Sequence, residues 1–171
     1  MWWNNWNEAM TPLRKIRGII VFYMVALVVA GATAFPVEWE LHLLCGWISQ
    51  FLAGWVDVSI VHWLFGVKEG ITYTNLHYPY LAYGYDWLAY AHIMIAILFI
   101  GPYIDPIRNK WIVVWGMIAC LSIFPLAFIC GPIREIPFIW TLIDCSFGFF
   151  GIMPLLLCYK YIRQLETEKK G

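Results

Sequence analysis

The chain has 171 residues, 62% hydrophobic and 13% charged, with eleven Lys and Arg against eleven Asp and Glu. A soluble domain carries about 25% charged and about 45–50% apolar residues, so this composition excludes an ordinary soluble domain and a disordered chain. The basic residues are scattered in ones and twos and form no patch, which argues against a nucleic-acid partner.

A run of about 20 apolar residues is what a helix needs to cross a bilayer. Four such runs follow one another: about 16–35, 87–104, 111–130 and 137–159. In lipid the backbone has no water to bond, so each run is expected to be a helix. Before the first run, Met1–Thr11 carries Trp2, Trp3 and Trp6 and reads as an interfacial arm, because Trp favours the headgroup level. Arg14–Arg17, a short apolar run and Ala32-Thr33-Ala34 imitate a secretory signal and its cleavage site; the segment is read as an uncleaved first span.

Lys and Arg set the orientation. Arg14, Lys15, Arg17, Arg108, Lys110, Lys160, Arg163, Lys169 and Lys170 fall on one side of the four spans, against Lys68 and Arg134 on the other. The positive-inside rule makes the first side cytoplasmic, with both termini there. The compartment this implies is the inner (plasma) membrane of a bacterium. Glu38, Glu40, Asp57, Glu69, Asp86, Glu135 and Asp144 lie on or near the outer side, with all four histidines.

Residues 36–85 join the first two spans and are too apolar and aromatic for an ordinary loop. A fifth crossing over Leu41–Val67 would invert every later span and leave more cations outside than inside, so two short surface helices are expected, divided near Gly54. Trp39, Trp47, Trp55 and Trp63 recur every eight residues within the related units LCGWISQF, LAGWVDVS and IVHWLFGV. Eight residues is about 800° of helix, so they drift around it and suit an aromatic belt. Six tyrosines and Trp87 crowd Tyr73–Tyr90. They suit the same belt, or the wall of a ligand site in which Tyr83, Tyr85 and Asp86 take part.

The fold class is therefore an all-α integral membrane protein, a four-transmembrane-helix bundle with a Trp/Tyr-rich interfacial helical cap on the non-cytoplasmic side. It forms one membrane domain over residues 1–171. Within it, His92, Pro125 and Asp144 each lie about six residues, or ~9 Å, below the outer boundary. An ionisable group in a span costs roughly 2.5–3.5 kcal/mol and normally faces a partner. Asp144 has Thr141, Gly148 and Gly151 on its face, and His92 has Ala89 and Ala96. These small residues permit close helix approach and point both groups inward. The pair reads as a structural hydrogen bond or as a catalytic acid/base couple. Arg134, just above Asp144, is the cation placed to grip an anionic ligand. Pro125 deprives the Leu121 carbonyl of its helical partner. Gly101-Pro102 and Gly131-Pro132 read as the ends of the second and third spans.

Glu38, His42, Cys45 and Ser49, spaced i, i+4, i+7 and i+11, fall within about 60° on one helix face. Glu, His and Cys are zinc ligands, but no complete metal signature accompanies them, and an amphipathic helix shows a polar stripe in any case. Haem b requires two histidines at equal depth on facing helices, and His92 alone sits firmly in a span. Five cysteines form neither a C-x-x-C pair nor a Cys-Cys-Gly, which sets aside quinone-linked disulfide formers and tetraspanins.

Three functions fit. The first is an accessory or assembly subunit of a larger membrane complex, meeting protein partners or further copies of itself. The second is an intramembrane enzyme or a protein binding lipid or a small hydrophobic ligand at an outward-facing His/Asp site. The third is an oligomeric proton-coupled transporter. The orientation is open to direct measurement. Single cysteines in place of Lys68 and Lys169, with the native cysteines replaced, are expected to react with an impermeant thiol reagent from opposite faces. Labelling of both from one face removes the four-span arrangement.

Overall fold

The structure, a computed structural model, describes residues 2–51 and 57–169, with side chains from residue 12 onward. Every regular element among them is a helix. In chain order these are α1 (Trp2–Ala34), α2 (Val37–Phe51), α3 (Val58–His77), α4 (Tyr83–Leu98), α5 (Ile100–Ile104), α6 (Lys110–Ile133) and α7 (Phe138–Glu168), with a 3-10 turn over Pro79–Leu81 between α3 and α4. Four stretches are long and apolar enough to cross a membrane: Pro12–Ala34, Pro79–Ile104, Lys110–Ile133 and Phe138–Glu168.

The boundaries differ from the sequence reading in ways that have local causes. Trp2–Thr11 is the beginning of α1 rather than a separate arm, and the helix passes through Pro12 at the loss of the bond that its missing N–H would make to Glu8. Gly101-Pro102 does not end a helix. The chain stays helical to Ile104, and the Asn109 side-chain amide donates to the Gly101 and Asp105 carbonyls at 3.1 and 3.0 Å, in addition to the backbone N–H groups of Asp105 and Asn109 that those carbonyls already accept. Gly131-Pro132 also lies inside a helix. The end of α6 is a Schellman motif: the Ile136 N–H bonds the Gly131 carbonyl, the Glu135 N–H bonds that of Pro132, and Glu135 takes the left-handed conformation with φ 57°. A glycine is the usual residue there, and the sequence places Glu in it. Beyond Tyr159, α7 continues to Glu168 through good helix formers.

Gly54 and Trp55 lie outside the described residues. The break between α2 and α3 is visible nonetheless at Asp57, which caps α3 by accepting from the Ser59 N–H at 2.8 Å and from the Ser59 hydroxyl.

The chain divides into two compact units: Met1–Ala26 with Ile95–Gly171, and Leu27–Met94. The first unit is centred on the α6–α7 hairpin. Val113, Leu155, Cys158 and Ile162 are fully buried in it, with Ile16 and Ile20 of α1 and Phe99. Small residues let the backbones approach. A Cβ on Gly116 would stand 2.9 Å from Phe99 Cζ, one on Gly131 3.0 Å from Thr141 Oγ1, and one on Gly148 2.6 Å from the Cys120 carbonyl oxygen. At one end of this unit the cations are tied down: Lys110 to Glu166 at 2.5 Å, Arg17 Nε to the Tyr103 carbonyl at 3.2 Å, and Lys15 over the Tyr161 ring at 5.2 Å.

The second unit holds α2 and α3 as an antiparallel hairpin beside α1 and α4. Gly31 of α1 carries the helix contact there. A Cβ on it would meet the Ala89 carbonyl at 2.8 Å and the His92 Cβ at 3.1 Å.

The tightest contact sets an expected outcome. Gly148→Ala places its Cβ against backbone, which cannot rotate away, and is expected to lose roughly 1–3 kcal/mol, an overpacking cost. Gly66→Ala, where a Cβ meets nothing within 4 Å, is expected to be neutral or stabilising. Thermal unfolding in a mild detergent distinguishes the two.

Candidate functional site

The polar stripe of α2 does not stand alone. On α3, Lys68, Thr72 and Asn75 repeat its spacing, and the hairpin sets part of one stripe against part of the other. Asn75 Nδ2 donates to Glu38 Oε2 at 2.7 Å, and the Tyr85 hydroxyl of α4 donates to Asn75 Oδ1 at 2.6 Å. The orientation of the amide follows from chemistry. An ionised carboxylate only accepts, so the NH₂ group faces Glu38 and the carbonyl oxygen faces the phenol. His42 Nε2 lies 3.5 Å from the Thr72 hydroxyl, the outer limit of a hydrogen bond.

This chain of groups borders a cavity of about 440 Å³ whose other walls include Phe35, Pro36 and Trp39. The volume is within the range of roughly 300–1,000 Å³ that small-molecule sites occupy. A second cavity of about 370 Å³ shares Phe35 and is lined by Tyr83, Asp86, Trp87 and Tyr90. Both belong entirely to the Leu27–Met94 unit.

Electrostatics follow from the bonds. The Asn75 amide, and after it the Thr72 hydroxyl, hold the Glu38 carboxyl below the usual carboxylate range. The Ser59 hydroxyl and N–H do the same for Asp57. The Tyr85 proton is directed at Asn75, so its oxygen meets the cavity as an acceptor, as does Glu38. The Leu27–Met94 unit carries five carboxylates against Lys68 alone. Its cavities therefore favour a donor or a cation over an anion.

Tyr85 thus borders the first cavity, and Tyr83 and Asp86 the second. Glu38 and His42 line the first directly, whereas Cys45 turns away. Its thiol is buried, with Sγ 3.9 Å from the Leu64 carbonyl. Among the described residues no three His, Cys, Asp or Glu side chains gather as a metal-ligand set. The stripe that resembled zinc ligands is used to join two helices.

His92 is half-buried beside Gly31, and its Nδ1 lies 2.8 Å from the Leu88 carbonyl. A carbonyl only accepts, so Nδ1 carries the proton and Nε2 is left as the acceptor of the neutral ring. Asp144 is half-buried in the other unit, flanking the buried seam of Thr141, Cys145 and Gly148, and makes no hydrogen bond or ion pair within that unit among the described residues. The Arg134 side chain is exposed at the end of α6, where the residue's N–H closes the last turn on the Cys130 carbonyl at 3.0 Å.

Sequence reasoning passed over Asn75 and Thr72. Their signal is present, a second i, i+4, i+7 polar stripe in a segment otherwise apolar, and it has meaning only once two such stripes are paired. Compared with known protein families, curated proteins and solved structures, the chain matches none.

The depressed Glu38 carboxyl gives a pH dependence of definite sign. A group whose folded pKa lies below its ordinary value of 4.5 stabilises the fold above that value. That stability is lost as pH falls through the folded pKa. Thermal stability is expected to drop on acidification below about pH 4.5, and Glu38→Gln should flatten that drop in part, Asp57 accounting for a further share. A Glu38→Gln curve parallel to the parent over this window overturns the assignment.

Proposed function

We propose that the chain is an integral membrane protein that binds a lipid-like amphiphile in the paired cavities of its α2–α3 unit, on the non-cytoplasmic side. The observation that carries this reading is the hydrogen-bonded Tyr85–Asn75–Glu38 chain bordering a cavity whose other walls include aromatic rings. An ordered polar edge beside an apolar groove suits a ligand with a polar head and an apolar body. The positive-inside distribution supports the placement, and the four apolar stretches support insertion. The acceptor groups at the cavity point to a head that donates hydrogen bonds or carries positive charge.

A second reading, an accessory or assembly subunit, is favoured by Asp144. A carboxylate within a span that finds no partner inside its own unit draws one from elsewhere, since leaving it unpaired in hydrocarbon costs several kcal/mol. In the subunit reading that partner is a group on another chain.

Native mass spectrometry after gentle detergent extraction separates the two readings. The expected result is a small adduct of lipid mass on the single chain, retained at low activation energy and depleted by Tyr85→Phe, which removes the hydroxyl but keeps the ring. An adduct-free chain that co-isolates with a second polypeptide overturns the binding reading in favour of the subunit.

A further inference from the structure

We propose that the Asp86 cavity is a receptor for a quaternary ammonium group, the head of the amphiphile inferred above. Tyr83, Trp87 and Tyr90 repeat at i, i+4 and i+7 on α4 and so line one face of it. Their rings stand nearly at right angles. Tyr83 and Trp87 are 5.8 Å apart at 79°, and Trp87 and Tyr90 are 5.8 Å apart at 88°. Rings in that arrangement make walls rather than a stack. Phe35, from the turn between α1 and α2, adds a fourth wall. All four residues are about half exposed, between 49% and 60%, so much of their surface is free of protein contact.

Among the described residues Asp86 is the only charged one in this lining. Its carboxylate makes no hydrogen bond or ion pair within the Leu27–Met94 unit, among the described residues. A neutral apolar occupant would remove water from that carboxylate and supply nothing in return. A metal ion requires several oxygen ligands, and one carboxylate does not provide them. A primary ammonium is attracted to ring faces as well, but its three N–H donors need hydrogen-bond acceptors in addition. A trimethylammonium group has no N–H to satisfy. It presents diffuse positive charge to ring faces, which attract it electrostatically, and to one carboxylate, which neutralises it. The excess of carboxylates over Lys68 in this unit attracts a cation toward the site.

The proposal rests on the binding reading and is tested separately from it. The full-length protein is purified in a maltoside detergent free of choline groups. Tetramethylammonium chloride is titrated against it, followed by tryptophan fluorescence and thermal stability, with potassium chloride at equal ionic strength as the control. The expected result is saturable binding of tetramethylammonium that potassium does not reproduce. Asp86→Asn and Trp87→Leu should each weaken it by roughly tenfold. Asp105→Asn, a substitution in the other unit, should leave it unchanged.

Two further arms identify the source of the head group. Competition by free choline but not by phosphatidylcholine in nanodiscs points to a soluble ligand, and the reverse to a bilayer lipid. Equal responses to potassium and tetramethylammonium overturn the proposal, as does undiminished tetramethylammonium binding by both the Asp86 and Trp87 variants. If the lipid adduct persists in native mass spectra while tetramethylammonium fails, the ammonium assignment falls and the binding reading stands. Loss of the adduct with tetramethylammonium binding intact has the opposite meaning.

Discussion

One side-chain amide ties together three helices of the Leu27–Met94 unit. Asn75 donates to Glu38 of α2 and accepts from Tyr85 of α4 while itself belonging to α3. An amide suits this position because it offers a donor and an acceptor at opposite sides of a rigid plane. A carboxamide in an apolar hairpin would be costly if either end were unmet, on the order of 1–3 kcal/mol. With both ends met it fixes the register of α2 against α3 and brings Tyr85 to the cavity edge. The cavity, the low pKa of Glu38 and the acceptor character of its polar groups all follow from this arrangement.

The other unit is organised by a different means. Apart from the cationic end and the Tyr23–Cys120 contact, its helices meet through apolar side chains, and the α6–α7 hairpin depends on small residues at its seam. Gly148 brings backbone against the Cys120 carbonyl, and Gly116 admits the Phe99 ring. Such close approach suits helices in lipid, where burial of apolar surface gives little drive to association and van der Waals contact must supply it. The two units thus show two solutions to helix packing in one apolar chain. Polar bridging is used where the proposed ligand would bind, and small-residue contact at the α6–α7 seam.

How legible this was in the sequence depended on range. The four apolar runs and the helical character of the segment between the first two were readable because length and composition are properties of single segments. Helix ends were less so. Gly131 looked like a terminal glycine, yet it is needed for its contact with Thr141, and the left-handed position fell to Glu135. The Glu38–His42–Cys45 stripe was visible, but its meaning was not. A stripe on one helix is equally a metal face or a packing face, and only the partner stripe on α3 decides. The crowding of Tyr83, Tyr85 and Asp86 was also visible. The division of these residues between two cavities follows from α4 beginning at Tyr83, which turns Tyr85 about 200° from Tyr83, whereas the apolar run in the sequence begins only at Trp87.

The chemistry of the site argues for holding a group rather than transforming one. A general base works best with a pKa near the operating pH. Glu38 is displaced the other way, held ionised by Asn75 and Thr72, and is therefore a weak base. Asn75 has a partner at each end of its amide, and the Tyr85 proton is engaged in one of those bonds, so none of the three is free to transfer a proton without breaking the links that shape the cavity. Fixed negative charge, acceptor groups and half-open aromatic faces are instead what recognition of a cationic or donor-bearing head requires.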